Sequence, residues 1–485
     1  MPHLTVRKAF EVLDNFHLLA QDIPPLSALQ DFDCASLTYN SHDVDDRSLL
    51  VCKGAFKNEY VADAVSRGLQ WYVAEQAFDE EFSGSAQAIV VTDIRKALAV
   101  LAQEFYGHPD KQLTTIGITG TKGKSTTTFF THAILNDYFH QKVALISSVN
   151  NSTDGVHMEE SDLTTPESLD LYRMLREAVD NGLTHAVIEV SSQAYKVDRV
   201  FNLHFNIGAF LNISPDHISP IEHPSFEDYF ACKRRIIFNS DEMVFSADID
   251  YRDVIDADVA QAGIPAHFVD EQSLDRTLIH LDMPGEFNYA NAAVAIEIAQ
   301  LAGVEKDSSS MQAVNHVQVP GRMEIFRGTH EDDGDVIGIV DYAHNAISTE
   351  KLLDYVDETY GTQKPYIVLV TGSAGNKAYN RRPEIVHAAE NRIQRFIFTL
   401  EDTNTEPEAK IAADMDAAIT NPDVKHDIIL DRTAAIEEAL TDAKRQPGLA
   451  IVLAIGKGDE RWIKMLNKHV PFEGDNEIVR RVLQG

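Results

Sequence analysis

The stretch Leu113–Thr128, LTTIGITGTKGKSTTT, sets three kinds of local structure end to end. LTTIGI is a β-branched run of strand length, TGTKGKS is a turn rich in glycine and lysine, and Thr126 to Leu135 has the spacing of a helix. A strand that passes through a glycine-rich turn into a helix lets backbone N–H groups converge on a phosphate. The helix N-terminus adds partial positive charge, Lys124 can bridge β- and γ-phosphates, and Ser125 can hold Mg²⁺. Gly120, Thr121, Lys122, Gly123, Lys124, Ser125 and Thr126 are therefore candidate residues for binding ATP or GTP. The usual spacing has another glycine five residues before Gly123, where this chain has Ile118, so the loop is a shortened variant.

Outward from this loop the pattern is that of a parallel sheet. Buried-strand candidates at Val143 to Ile146, Ala186 to Val190 and Ile207 to Leu211 alternate with helix-length segments. After the helical YANAAVAIEIAQLAG, Pro320 and Gly321 punctuate the chain. Strand candidates at Val336 to Val340, Ile367 to Val370, Arg395 to Phe398 and Ala450 to Ala454 then suggest a second, doubly wound α/β unit. Upstream, short runs at Ser48 to Val51 and Ala88 to Val91 and a helix over Ile94 to Phe105 read as a small α/β domain ending in GHPDKQ. The fold class is α/β, with three domains expected at residues 1–110, 111–319 and 320–485. The acidic segments DEQSLD and HEDDGD read as solvated loops.

Lysine plus arginine number 42 against 76 aspartate plus glutamate, a net charge of −34 that argues against nucleic-acid binding or an anionic membrane surface. The N-terminus lacks the apolar run of a signal peptide, and no later run nears the length of a membrane span. Three cysteines without paired spacing suit a reducing compartment. The expectation is a cytoplasmic, monomeric protein.

Glu189 closes a candidate buried strand, so its carboxylate faces the region where α/β sheets bind ligands and could hold a hard cation. Asp216 and His217 follow another strand and could reach the same crevice, although histidine is an unusual partner for Mg²⁺. Lys233, beside Arg234 and Arg235, reads by pattern alone as a solvated helical lysine.

The loop TGTKGKS resembles that of the Mur ligase superfamily, ATP-dependent amide ligases of peptidoglycan precursor assembly whose relatives include folylpolyglutamate synthase. Further similar segments are TTPES (164–168), EVSSQAYKVDRV (189–200), NISPDHI (212–218), GEFNYANAA (285–293), PGRME (320–324), DYAHN (341–345) and IGKGDE (455–460). Within the family they look like the third amino-acid-adding, or MurE, type, which extends UDP-N-acetylmuramoyl-L-alanyl-D-glutamate, and most like its L-lysine-adding version. The resemblance implies that Lys124, Ser125, Glu189 and His217 serve ATP and Mg²⁺, with a carbamylated Lys233 on a second Mg²⁺. It implies adenine-side roles for Asn288 and Asn291 and ribose and phosphate contacts for Arg322 and Asp341. Thr164, Thr165, Ser192 and Arg199 would hold the muramoyl dipeptide. Ser41 would contact uridine, although its neighbours Asn40 and His42 depart from the family's usual Asp and Arg, and Lys53 and Lys57 would help neutralise the diphosphate.

Diaminopimelate-adding members carry DNPR, whose arginine pairs with the second carboxylate of that substrate. The corresponding residues here are Glu401, Asp402, Thr403 and Asn404, so the guanidinium is missing. Glu401 and Asp402, with Glu460, suit the terminal ammonium of L-lysine, and Arg382 resembles the arginine that takes the α-carboxylate. Ornithine is one methylene shorter, worth only about 1–3 kcal/mol, and stays open as the added amino acid. An alternative reading has Glu401 and Asp402 opening a helix.

Overall fold

The computed structural model describes residues 3–20, 32–219, 222–329, 335–376 and 379–484. They form two compact units. The first comprises Met1–Ser214, Glu227–Ile279 and Tyr289–Val314, and the second Pro215–Phe226, His280–Asn288 and Asn315–Gly485. Four of the five residues that follow His330 in HEDDGD, and His330 itself, lie outside the described residues. DEQSLD contains a short 3-10 turn over Glu271–Ser273 with no buried side chain, in keeping with a solvated segment.

Among the described residues the first unit holds a two-stranded pair, Leu4–Thr5 with Asp33–Cys34, and two larger sheets. A four-stranded parallel sheet runs in the order Ser36–Thr38, Ser48–Val51, Trp71–Ala74, Gln87–Val90. The larger sheet has eight strands. Its six parallel members run Val143–Ile146, His185–Glu189, Thr114–Thr119, Phe205–Phe210, Ser240–Ser246, Ala266–Val269, and two short antiparallel strands, Asn150–Ser152 and Glu159–Glu160, extend one edge. The central strands are buried along their length, which is why they read as continuous apolar runs rather than alternating ones. Thr114–Thr119 lies between His185–Glu189 and Phe205–Phe210, so the turn after it opens where the strand order changes direction, the usual ligand edge of such sheets.

Lys124–Tyr138 is a helix despite Thr126, Thr127, Thr128 and Thr131, whose β-branched side chains are poor helix formers. Every residue from Ser125 to His132 is buried, so packing on the sheet sustains this helix rather than intrinsic propensity.

The second unit contains a six-stranded sheet in the order Glu324–Thr329, Asp335–Asp341, Ala450–Ile455, Tyr366–Thr371, Arg395–Phe398, Lys425–Ile428. Only the first strand is antiparallel. Ala346–Tyr360, Arg381–Ala389 and Glu408–Asp416 pack on one face, and Arg432–Ala443 and Asp475–Gln484 on the other, giving two apolar cores. This is the doubly wound arrangement expected from the alternation of strands and helices. Among the described residues no helix is long and apolar enough to cross a membrane.

Candidate functional site

In the first unit the phosphate loop is fixed by its own backbone. Gly120 and Gly123 have φ of +157° and +81°, and a side chain at Gly123 would place its Cβ 2.4 Å from Asn291 Oδ1. Asn212 clamps the loop crest: its Oδ1 accepts from Lys122 N at 2.8 Å and its Nδ2 donates to Lys122 O at 3.0 Å. Thr121 Oγ1 accepts from Ser214 N and from the Tyr229 hydroxyl, at 3.0 and 3.1 Å. Lys124 Nζ lies 3.3 Å from Thr121 O, curled over the loop it belongs to.

Lys233 is not the solvated lysine its sequence context suggests. It is 1% exposed, donates to Gly120 O at 2.7 Å and lies over the Tyr229 ring. Its neighbours take the surface: Arg234 pairs with Asp258, and Arg235 reaches Tyr195 O and Asp198. Consecutive helical residues diverge by about 100°, so a basic run can bury its first member and solvate the rest.

At the carboxyl end of His185–Glu189, the Glu189 side chain is 2% exposed. Its Oε2 accepts from Ser148 N and Ser148 Oγ at 3.0 and 3.1 Å, and Ser148 Oγ lies 3.0 Å from Ser125 Oγ. Among the described residues no ion pair reaches Glu189. A buried carboxylate attended by hydroxyl oxygens is a donor set that fits Mg²⁺. Ser148 is a residue that sequence reasoning missed, although a small hydroxyl just beyond a buried parallel strand was its available signal.

Thr165 Oγ1 donates to Glu189 O at 2.8 Å, tying the TTPES segment to this edge. Thr164 is half-buried and Ser192 buried. Arg199 donates to Thr165 O and pairs with Glu167, which also receives Lys53 Nζ at 2.5 Å. Two cations thus share one carboxylate, leaving a net positive charge, and together they hold the Glu167 pKa below its ordinary value against the opposing effect of burial. Ser41 is buried in a short turn capped by Asn40, whose Oδ1 accepts from His42 N; that is the structural use of the neighbours that depart from the family pattern. Lys57 sits 5.9 Å from the Tyr60 ring.

The second unit collects the remaining candidates. His217, with φ of +56°, directs Nδ1 toward Glu222 Oε1 at 3.3 Å, and burial lowers its pKa. Asp216 pairs with Arg381 and accepts from Asn345 Nδ2 at 3.0 Å. Asn288 is buried with Nδ2 on Pro284 O. Asp341 ends its strand and accepts from Met323 N and Ala343 N, while Arg322 lies over the Tyr342 ring.

Two loops at the carboxyl edge of the second sheet bring Glu401, Asp402 and Glu460 around one buried ammonium. Lys457 Nζ donates to Asp402 Oδ1 at 2.9 Å, pairs with Glu460 and covers the Trp462 ring. Glu460 also accepts from the Tyr342 hydroxyl at 2.9 Å. Among the described residues no hydrogen bond reaches the Glu401 carboxylate. Burial, then Asp402 beside it, pushes its pKa up to about 7. Glu401 and Asp402 do not open a helix: the next one begins at Glu408, and Asn404 has φ of +53° with Nδ2 on Gly375 O. Arg382 is 2% exposed, and its terminal nitrogens go to Glu406 and Asp414, while among the described residues its buried Nε meets no hydrogen-bond acceptor. Lys457 stood in the quoted IGKGDE segment, but its pairing with Asp402 joins loops far apart in sequence.

Residues 118–278 match the Mur ligase middle domain and residues 321–458 the Mur ligase glutamate ligase domain. A UDP-N-acetylmuramyl-tripeptide synthetase of Bifidobacterium longum (strain NCC 2705) is 47% identical over 517 residues, covering 99% of both chains. The chain belongs to the Mur ligase family. A UDP-N-acetylmuramoyl-L-alanyl-D-glutamate--L-lysine ligase of Enterococcus faecalis (strain ATCC 700802 / V583) is 38% identical, covering 96% of this chain and 94% of its own. The solved structure of a UDP-N-acetylmuramoyl-L-alanyl-D-glutamate--2,6-diaminopimelate ligase has the same fold, with a TM-score of 0.60 and 22% identity over 96% of this Mur ligase and 97% of that chain. A Mycobacterium tuberculosis folylpolyglutamate synthase complexed with ADP superposes with a TM-score of 0.58 at 16% identity, over 75% of this chain and 91% of its own.

Proposed function

We propose that this Mur ligase joins L-lysine to UDP-N-acetylmuramoyl-L-alanyl-D-glutamate, converting ATP to ADP and phosphate, as a cytoplasmic monomer of three functional domains. The observation that carries the reading is the acidic seat. Glu401, Asp402 and Glu460 gather around Lys457, which offsets only part of their charge, and Asn404 stands at the position that corresponds to the arginine of the DNPR signature. Relatives named for lysine addition that match over almost the whole length support it.

The D-glutamate γ-carboxylate attacks the γ-phosphorus of ATP, ADP leaves and an acyl phosphate forms. Lys124 and the loop N–H groups of Gly120–Ser125 take up charge on the phosphates as the two anions approach. Ser125 and Glu189 would hold Mg²⁺, to which the family resemblance adds His217, and a carbamate on Lys233 would help hold a second Mg²⁺; bound ions would screen the phosphate oxygens. The neutral α-amine of lysine then attacks the acyl carbon, loses a proton, and phosphate departs. Arg382, by the family resemblance, receives the lysine α-carboxylate in competition with Glu406 and Asp414, and the acidic loops take the distal ammonium. Lys53 and Arg199, sharing Glu167, have positive charge to spare for the anionic substrate, with Thr164, Thr165, Ser192 and Ser41 as its polar contacts. Asn288, Asn291, Arg322 and Asp341 serve the nucleoside of ATP.

Phosphate release with ATP, Mg²⁺ and UDP-muramoyl-dipeptide, measured separately with lysine, ornithine and diaminopimelate, tests the reading. Turnover with lysine and a product heavier by one lysyl residue is expected. Equal turnover with diaminopimelate removes the lysine assignment, and no turnover with any amino acid removes the ligase.

A further inference from the structure

The two loops that carry the acids leave the sheet after Phe398 and Ile455, and Leu400 is the residue immediately before Glu401. Glu401 and Asp402 follow the first, and Gly456, Lys457 and Glu460 follow the second. Beneath them lies Arg432, the first residue of its helix, paired with Asp475, the first residue of another; both side chains are 0% exposed. Arg432 Nε and NH2 meet the two Asp475 oxygens at 2.7 and 2.6 Å, a two-pronged contact. The same guanidinium donates through NH1 to Leu400 O and through NH2 to Ile455 O, each at 2.8 Å. One planar cation therefore grips the carbonyl immediately before each acidic segment. The loops also touch above it, since a Cβ on Gly456 would lie 2.7 Å from Glu401 Oε2.

Burying an ion pair completely brings little net stability, because desolvation offsets most of the attraction. What the guanidinium offers is rigid geometry: flat, always charged, with five donors in fixed directions. Asp475 cancels its charge, so its contribution to the loops is spacing.

We propose that Arg432, oriented by Asp475, is a positioning residue that fixes the gap between the Glu401–Asp402 and Lys457–Glu460 loops and so sets the length of diamino acid accepted. This rests on the lysine-adding reading above.

The test is the ratio of kcat/KM for lysine to that for ornithine, measured on one preparation at a time. Such a ratio is independent of the fraction of folded enzyme, so mere destabilisation does not move it. One methylene corresponds to about 10–200-fold discrimination in the parent enzyme. Arg432→Lys keeps the charge but loses the fork, and is expected to cut the ratio at least about fivefold, raising the KM for lysine with the KM for ATP unchanged. Asp475→Glu keeps both charges and displaces the guanidinium by one methylene; it decides the matter if Arg432→Lys yields no soluble protein. A ratio within twofold of the parent in the soluble variants overturns the proposal. A parent enzyme that ignores both diamino acids refutes the functional reading instead.

Discussion

Replacing Glu401 by glutamine separates what this carboxyl does for binding from what it does to stability. Its pKa stands at about 7 against an ordinary 4.5, through burial and the neighbouring Asp402, with Arg432 and Lys457 only partly opposing the rise. A carboxyl whose folded-state pKa is raised destabilises the fold where it must ionise. The penalty is complete above pH 7, fades as pH falls, and is gone below about 4.5, where both states are protonated. The rise corresponds to about 3 kcal/mol. Glu401→Gln removes it, so the variant should melt roughly 6–12 °C above the parent at pH 8, taking the usual scaling for a unit of this size. The gain should shrink steadily and vanish near pH 4.5. Binding moves the other way. An ammonium favours the ionised carboxyl, so the parent's KM for lysine should climb about tenfold from pH 8 to pH 6, following the ionised fraction of a group titrating near 7. Dividing by the KM of Glu401→Gln at each pH cancels the titration of the substrate's own amines. Differential scanning calorimetry and initial-rate kinetics across pH 4.5–8 provide both readouts. A stability difference that does not change with pH, or a KM ratio flat between pH 6 and 8, refutes the reasoning.

Gly123→Ala should raise the KM for ATP more than tenfold: φ of +81° costs an alanine about 1–2 kcal/mol, and its Cβ meets Asn291 Oδ1. Isothermal titration with a non-hydrolysable ATP analogue checks this. Ser148→Ala removes one of the two donors that Ser148 gives Glu189 Oε2; a hydrogen bond to a charged group is worth about 1.5–3 kcal/mol, so the Mg²⁺ concentration for half-maximal rate should rise roughly tenfold or more. Lys233→Ala should lose activity, and excess short carboxylate should partly restore it if a carbamate on Lys233 takes part. Full activity without that addition removes the carbamate from the mechanism.

The strand that precedes the phosphate loop and the buried strands beside it were legible in the sequence because doubly covered parallel strands leave continuous apolar runs. The misplacements are small and physical: His185 and Phe205 extend the central strands at their amino ends through backbone pairing, which side-chain hydrophobicity does not report. Residues that would touch ligand, such as Lys124, Glu189 and Glu460, were legible because their chemistry requires a particular side chain beside a particular turn. Those that hold them were not. Ser148 acts through its hydroxyl and its own backbone N–H, Asn212 by imitating a strand partner for Lys122, and Arg432 by reaching two carbonyls on separate loops. Each does its work through a contact between segments distant in sequence, and each in isolation is an ordinary polar residue. Lys233 shows the same limit from the opposite side, because its identity was noticed while its burial depended on which way one helix faces. Sequence therefore exposes the groups whose chemistry is demanded and conceals those whose contribution is position, and selectivity for amino-acid length belongs to the second kind.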